Sequence, residues 1–324
     1  MENIILNDDC FNVFSKIPNN SINLVCVDLP YGQTAFAWDI IIDLNKMWIE
    51  LKRIGKENCQ YVFFCTTKFG YELINSNPKW FRYDIVWEKE YSVGYLSANK
   101  MPLRHHEMIY VFSGIVEDDR QKSRNLEMRE YADKVFKYIN KTLREITDIM
   151  GNRTAEHFFY RTKSSQFGMP TKKTYDKLIE LFKINEMEGF IKFEDLKPFE
   201  KIEVIYNPQK TEGKPYKSKG GGILKKHIYG KDILRANVIN SGDRHPTSII
   251  KFGNDKENLH PTQKPVQLCE WIINTYSNDG DLVLDFTMGS GSTIIACKNT
   301  KRKYIGIEKD KDIFDIAQKR IEGL

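Results

Sequence analysis

Two short motifs carry residue types that could hold an amine-bearing ring and a nucleoside cofactor. In Asp28-Leu29-Pro30-Tyr31, a carboxylate precedes a proline-fixed carbonyl and an aromatic ring. The run at 285–291, DFTMGSG, places a glycine-rich turn after an acid, so that backbone N–H groups can approach a ligand. Carboxylate and carbonyl acceptors suit the hydrogens of an amine, and an aromatic side chain suits stacking on a planar ring. The sequence therefore predicts one site for an amine-bearing ring and one for a nucleoside cofactor.

The elements that position these motifs follow from the apolar pattern. Each motif comes directly after a short apolar run, at 23–27 and at 281–284, which is typical of a buried parallel strand. Strand and helix patterns alternate through 1–114 and again through 259–324. This predicts an α/β fold, a doubly wound Rossmann-like sheet that admits an antiparallel edge. Because ligands bind at the ends of such strands, we expect both motifs to face one crevice.

The alternation stops at residues 115–258, which we interpret as an insert between two halves of one domain. Residues 118–250 contain 27 Lys and Arg against 19 Asp and Glu, a charge of +8 in a chain of net charge +5. Helical patterns separated by tight turns occupy 142–159 and 170–184. They are compatible with DNA-binding helix-turn-helix pairs or with plain helical hairpins. A basic, largely helical insert suits a polyanionic partner.

A stretch within the insert, residues 207–231, has seven Lys against one Glu and a run of three glycines. Such a composition cannot build a core and predicts a mobile loop that can track phosphates. The lysines proposed for DNA contact are Lys210, Lys214, Lys217, Lys219, Lys225 and Lys226.

Composition excludes several other classes of protein. The chain has 324 residues, of which 41% are hydrophobic, enough for one large core and a smaller lobe. No apolar run reaches the roughly 18 residues of a membrane span, and the first residues lack a signal-peptide pattern, so we expect a cytoplasmic protein. The six cysteines lack CxxC spacing and the six histidines lack zinc-ligand spacing. We therefore expect reduced core cysteines and no metal.

Three motifs, in this order along the chain, resemble those of the S-adenosylmethionine-dependent DNA amino-methyltransferases. DLPYG at 28–32 is similar to their DPPY catalytic motif, with Leu29 in place of the first proline. HPTQKP at 260–265 is similar to the segment that precedes their cofactor motif, and DFTMGSGST at 285–293 is similar to the cofactor motif itself. A catalytic motif first, a cofactor motif last and a target-recognition insert between them is the order of the β group. The insert loosely resembles those of phage and prophage members.

The resemblance implies catalytic roles for Asp28, Leu29, Pro30 and Tyr31. The Asp28 side chain and the Leu29 carbonyl would accept hydrogen bonds from the target amine, Pro30 would fix the direction of that carbonyl, and Tyr31 would stack on the base. No metal and no covalent enzyme intermediate would be required.

The resemblance also implies a set of cofactor-binding residues. Glu308 would accept hydrogen bonds from the ribose hydroxyls, while Thr262 and Lys264 would reach the cofactor carboxylate. Asp9 would lie near the adenine, although Asp8-Asp9 stands where the family usually shows Gly-Asp. The full set is Asp9, Cys10, Asp28, Thr262, Lys264, Asp285, Phe286, Thr287, Gly289, Gly291 and Glu308.

The implied substrate is adenine N6 of a base flipped out of duplex DNA, because an aspartate rather than a serine at position 28 goes with adenine in this family. Cytosine N4 is the alternative, followed by adenine in RNA and by a non-enzymatic DNA-binding protein on a degenerate scaffold. Duplex DNA is the implied partner, and a cognate restriction endonuclease is a further one. Both a monomer and a homodimer are compatible with the family.

Overall fold

The computed structural model describes residues 1–32, 40–114, 126–160, 162, 167–196, 204–220, 223–224, 233–234, 237–255 and 263–323. The chain divides into two compact units, one formed by Met1–Gly114 with Val204–Leu324 and the other by Ile115–Glu203.

The described strands are β1 Ile4–Asn7, β2 Ile22–Asp28, β3 Gly55–Cys65, β4 Phe81–Val93, β5 Arg104–Ser113, β6 Thr211–Glu212, β7 Tyr216–Ser218, β8 Ile223–Leu224, β9 Ile233–Leu234, β10 Val238–Asn240, β11 Asp243–Arg244, β12 Ile249–Lys251, β13 Leu282–Asp285 and β14 Lys303–Glu308. The described helices are α1 Cys10–Phe14, α2 Leu44–Ile54, α3 Thr67–Ser76, α4 Leu126–Ile139, α5 Leu143–Met150, α6 Glu156–Phe159, α7 Lys172–Phe182, α8 Val266–Tyr276, α9 Ser292–Asn299 and α10 Lys311–Glu322.

Eight of the described strands form the main sheet of the first unit, in the order β1-β14-β13-β2-β3-β5-β4-β12. Strand β5 runs antiparallel to both of its neighbours, whereas every other pairing in this sheet is parallel. The predicted α/β sheet with an antiparallel component is therefore confirmed. Hydrophobic clusters cover both faces, which explains why β2 is a continuous apolar run with its first six residues buried.

The sheet changes winding direction between β13 and β2. The chain passes from β13 through α9 to β14 on one side, and from β2 through α2 to β3 on the other. A crevice forms at the carboxyl ends of strands at such a switch point. The two predicted motifs follow β2 and β13, so the topology brings them to the same edge.

The second unit is helical and has its own core. Thr142 and Glu145 form a capping box at the start of α5, and Thr171 caps α7. The helical pair predicted at 142–159 corresponds to α5 and α6. The second predicted pair, at 170–184, is instead the single helix α7, followed by a 3₁₀ turn at Ile184–Glu186. Aromatic side chains such as Phe158 and Tyr175 fill the core between the helices.

The end of this unit differs from the insert boundary predicted at residue 258. Residues 204–255, where described, cluster with the first unit, and β12 pairs with β4 of the main sheet. Ile250 of β12 is buried in the hydrophobic core of the main sheet. The lysine-rich stretch 207–231 has few apolar side chains that could pack into a helical core. That stretch, predicted as a loop, also contains strands β6 and β7, which pair with β11 and β10.

Among the described residues, no helix is long and apolar enough to cross a membrane. The same part of the chain contains no group of three or more His, Cys, Asp or Glu side chains that could hold a metal ion. All six cysteines are buried and unpaired.

Candidate active site

The carboxyl ends of three neighbouring strands bring acids to one cavity. Asp28 ends β2, Asp285 ends β13 and Glu308 ends β14. All three line a cavity of about 910 Å³ in the first unit, and Gly289 of the glycine-rich turn lines it as well. The two motifs that sequence analysis singled out therefore share one crevice, although more than 250 residues separate Asp28 from Asp285.

Asp28 is held by contacts on both carboxylate oxygens. Its Oδ2 accepts a hydrogen bond from Nζ of Lys264 at 2.5 Å, and its Oδ1 accepts one from the Tyr31 hydroxyl. Its backbone carbonyl accepts a hydrogen bond from Oγ1 of Thr287 at 3.0 Å, which joins the two motifs directly. Burial raises the pKa of the Asp28 carboxyl above its ordinary value, and the nearby ammonium of Lys264 opposes that rise.

Glu107 continues this charge network and was missed in the sequence analysis. Because β5 is antiparallel to β3, Glu107 near the beginning of β5 lies next to the Cys65–Met108 pair, at the edge where β2 and β3 end. Its Oε2 lies 3.6 Å from Nζ of Lys264, and its Oε1 accepts a hydrogen bond from Lys89. Burial alone would raise the pKa of Glu107, but the two lysines outweigh it and lower that pKa. An acid directly before the apolar run 108–112 was the available sequence signal.

Two glycines shape the turn after β13 in different ways. Gly289 has a φ of +51° and open space where a Cβ would stand, and its N–H donates to Oε2 of Glu308 at 3.0 Å. Gly291 has a φ of +82°, and a Cβ there would lie 2.9 Å from Cδ1 of Ile321. Gly289 therefore leaves room on the cavity side, whereas Gly291 allows close packing of the turn against α10.

Asp285 is a buried carboxyl that binds inside its own turn. It is 3% exposed, and its Oδ1 accepts a hydrogen bond from the N–H of Thr287 at 3.2 Å. Burial raises its pKa to about 7, although the side chain of Thr293 opposes the rise. Burial also raises the pKa of Glu308. A cationic ligand in this cavity would stabilise the ionised form of both groups.

Asp9 and Cys10 lie at the start of α1 and line the same cavity. Asp9 is the N-cap of this helix, because its Oδ1 accepts a hydrogen bond from the N–H of Phe11 at 3.0 Å. Its Oδ2 lies 3.0 Å from Nζ of Lys309, which follows β14. The helix cap thus places the Asp9 carboxylate beside the end of the Glu308 strand.

A second group missed in the sequence analysis surrounds Asp255. Its Oδ2 accepts hydrogen bonds from Nη2 of Arg320 at 3.0 Å and from Nε2 of Gln263 at 2.9 Å. Its Oδ1 accepts one from the N–H of Val266 at 3.1 Å, at the first turn of α8. This arrangement fixes the residue before Lys264, and Asp255 and Gln263 both line the cavity. No sequence motif marked Asp255, because its partners come from distant segments.

The remaining predicted site residues divide into three groups. Leu29, Pro30, Phe286 and Thr287 line the cavity, whereas Gly291 does not. Lys210, Lys214, Lys217 and Lys219 are exposed on or beside β6 and β7, away from the cavity lining. Thr262, Lys225 and Lys226 lie outside the described residues.

Comparison with known proteins gives matches along the whole chain. The Type II methyltransferase M.HindIII of Haemophilus influenzae is 22% identical over 99% of this chain and 96% of its own length. The Type II methyltransferase M2.DpnII of Streptococcus pneumoniae is 36% identical over 30% of this chain, and the match spans 37% of that relative. Among solved structures, the crystal structure of the M1.HpyAVI-SAM complex covers 98% of both chains, with 19% identity and a TM-score of 0.46.

The sequence model of a family of DNA methylases, the N6/N4 methyltransferases, matches residues 22–319. The match includes Asp28, the cavity segment at 263–264, Asp285 and Glu308. Since it extends over most of the chain, this protein belongs to the N6/N4 DNA methylase family.

Proposed function

We propose that this protein transfers a methyl group from S-adenosylmethionine to N6 of an adenine flipped out of duplex DNA. The observation that carries the proposal is the shared cavity of Asp28 and Gly289, joined by the hydrogen bond from Thr287 to the Asp28 carbonyl. Membership of the N6/N4 DNA methylase family supports the reaction class.

The cavity lining fits a cationic nucleoside cofactor. It contains three lysines and eight acidic residues: Asp8, Asp9, Asp28, Glu107, Asp255, Asp285, Glu308 and Asp310. Such an excess of negative charge attracts a ligand that carries a sulfonium and an ammonium. S-adenosylmethionine, when bound, supplies an electrophilic methyl group on its sulfonium.

We infer individual roles for the residues around the turn. Glu308 accepts hydrogen bonds from the ribose hydroxyls, and Asp285 pairs with the amino group of the methionine portion. The open space beside Gly289 lets the ligand approach the backbone of the turn. Asp9 and Cys10, which share this cavity, are assigned to the adenine side.

The Asp28 carboxylate and the backbone carbonyl of Leu29 accept hydrogen bonds from the two N–H groups of the target amine. These two hydrogen bonds favour a more tetrahedral and more nucleophilic nitrogen. Pro30 fixes the direction of that carbonyl. The amine proton is lost afterwards to Asp28 or to solvent. Lys264, assigned by resemblance to the cofactor carboxylate, contacts Asp28 directly, so we infer that it also keeps this buried carboxylate ionised.

The base must leave the duplex, because its amine is out of reach of a cavity while it is paired and stacked. Tyr31 lines the cavity, and we assign it to stack on the extruded base. The exposed lysines of the β6–β7 segment are proposed to contact phosphates. The choice of adenine over cytosine rests on an aspartate rather than a serine at position 28.

The test is to incubate the protein with labelled S-adenosylmethionine and unmethylated genomic duplex DNA, then to digest the DNA and analyse its nucleosides by mass. N6-methyladenine is the expected product. N4-methylcytosine would overturn the choice of base and leave the reaction class standing. The absence of any labelled nucleoside would overturn the proposed function. In a parallel reaction with single-stranded RNA, labelling of RNA but not of DNA would overturn the choice of nucleic acid.

A further inference from the structure

The hairpin formed by β4 and β5 extends beyond the sheet. Strand β3 pairs with β5 only as far as Met108, and β12 pairs with β4 only as far as Glu88. Past these points β4 and β5 pair only with each other among the described strands, up to the pair Val93 and Arg104. We call residues 91–104 the arm.

The arm exposes an unusual amount of apolar surface. A two-stranded ribbon has no second layer in which to bury its side chains. Leu96 is fully exposed and Tyr95 is 82% exposed, and both belong to a 3₁₀ turn that follows Gly94, whose φ is +89°. The exposed large side chains of the arm are Tyr91, Val93, Tyr95, Leu96, Met101 and Leu103. A contiguous set of this kind marks a binding surface.

The charge of the arm favours nucleic acid over a second copy of this chain. Residues 91–104 contain Lys100 and Arg104 and no acid. The flanking acids Glu90 and Glu107 lie at the foot of the hairpin, where Glu107 is paired with Lys89. A two-fold symmetric interface centred on the arm would bring the basic residues of both copies together, with no acid of the arm to pair with them. Duplex DNA presents phosphates to those same side chains.

The arm is continuous with the cavity that holds Asp28. Tyr91 and Val93 line that cavity, as do Lys89 and Glu107 at the foot of the same two strands. The two strands that form part of the cavity wall therefore lead directly into the exposed 3₁₀ turn. A base that enters such a cavity leaves a gap in the duplex, and proteins that kink or open DNA fill such steps with apolar side chains.

We propose that the arm is a DNA wedge: Tyr95 and Leu96 enter the base stack beside the extruded nucleotide, while Lys100 and Arg104 contact the flanking phosphates. The inference rests on the proposed function, because it assigns the element that holds the duplex open for that reaction. The insertion of apolar side chains offsets part of the unstacking energy. The arm therefore matters most when the target base is fully paired.

The experiment compares the double variant Tyr95→Ala/Leu96→Ala with a matched control, Ile49→Ala/Tyr71→Ala. The control also removes one exposed aliphatic and one exposed tyrosine, from α2 and α3, neither of which lines the cavity. The target sequence is first identified by mapping the methylated bases in genomic DNA treated with the wild-type protein. Single-turnover methylation is then measured on an oligonucleotide duplex that carries this sequence. A second duplex has an abasic site opposite the target base, which lowers the energy needed to extrude it.

The arm variant is expected to methylate the paired duplex about tenfold more slowly than the control variant does. On the abasic duplex its rate is expected to lie within about threefold of the control's rate. Binding of S-adenosylmethionine should be unchanged. Equal losses on both duplexes, or no loss on either, would overturn the wedge. A shift from dimer to monomer in sedimentation, with loss on both duplexes, would assign the arm to a second copy instead. Failure of the wild-type protein on both duplexes would count against the proposed function rather than against the arm.

Discussion

Nζ of Lys264 lies 2.5 Å from Oδ2 of Asp28, although 236 residues separate the two in the chain. Both side chains are largely buried, so each charge stabilises the other in a medium that solvates neither well. Burial by itself would lower the pKa of Lys264, but Asp28 and Glu107 outweigh it and raise that pKa. The second carboxylate, Glu107, lies 3.6 Å away, so Lys264 remains paired if Asp28 turns toward a target amine.

Replacing Asp28 with alanine is expected to lower methyl transfer by about a thousandfold or more, because one of the two acceptors for the target amine is lost. Binding of S-adenosylmethionine should change by less than about threefold, since Glu308 and the glycine turn remain. Single-turnover kinetics and calorimetric titration measure the two effects. Full retained activity would refute the catalytic assignment of Asp28.

Replacing Lys264 with methionine is expected to shift the acidic limb of the pH–rate profile upward by about one to three pH units. The pKa of Asp28 is already raised by burial, and removal of the opposing ammonium raises it further. The carboxyl then stays protonated, and unable to accept from the amine, up to a higher pH. The measurement is kcat between about pH 5 and 9. Lys303→Met, which removes a partly exposed lysine paired with Glu2 at 2.7 Å, is the control and should leave the profile in place.

Replacing Glu308 with glutamine is expected to weaken binding of S-adenosylmethionine by about ten- to a hundredfold, because hydrogen bonds to a charged acceptor contribute about 1.5 to 3 kcal/mol. The rate at saturating cofactor should change little, since Glu308 is assigned to the ribose and not to the reacting atoms. Titration calorimetry against Glu322→Gln, an exposed acid of α10, separates this effect from a loss of charge alone. Unchanged affinity would remove Glu308 from the cofactor site.

The two glycines of the turn are expected to respond differently to alanine. Gly291→Ala combines a left-handed backbone, which costs about 1 to 2 kcal/mol, with a contact of 2.9 Å to buried Ile321. It should lower the free energy of unfolding more than Gly289→Ala does. Gly289→Ala places a methyl group in the cavity lining. It should therefore weaken cofactor binding more than Gly291→Ala does, and lower the melting temperature less. Thermal unfolding and cofactor titration of both variants provide the comparison, and the opposite ranking would contradict the assignment.

Because of Asp285, the free energy of unfolding of the cofactor-free protein is expected to depend on pH. Its pKa is about 7 in the folded protein, against about 3.9 in an unfolded chain, so the folded state holds a proton that the unfolded state has lost between these values. This contribution to stability is therefore lost as pH rises from about 4 to 7. Asp285→Asn should become more stable relative to the wild type through that window, by at most about 1.4 kcal/mol per pH unit. Urea unfolding at several pH values tests this, with Asp315→Asn, a partly exposed acid of α10, as the control. Parallel curves for Asp285→Asn and the wild type would contradict it.

Local sequence features were sufficient to predict seven strands of the main sheet and both motifs, but not β12, which lies within the predicted insert. The apolar runs before Asp28 and Asp285 indicated buried strands, and the acids and glycines that follow them identified the edge at which ligands bind. The helix starts at Thr142 and Thr171 were likewise predictable, because a capping side chain acts within a few residues of itself.

Glu107, Asp255 and the arm depended on the tertiary structure. Glu107 reaches the cavity only because β5 runs antiparallel to its neighbours, and strand direction is set by long-range pairing. Asp255 gains its role from Arg320 and Gln263, which lie on separate segments. The sequence thus determined which chemistry was available, because side-chain type and short-range periodicity are local properties. The tertiary structure decided which charges share a cavity, because burial and electrostatic pairing depend on distances that the order of residues does not contain.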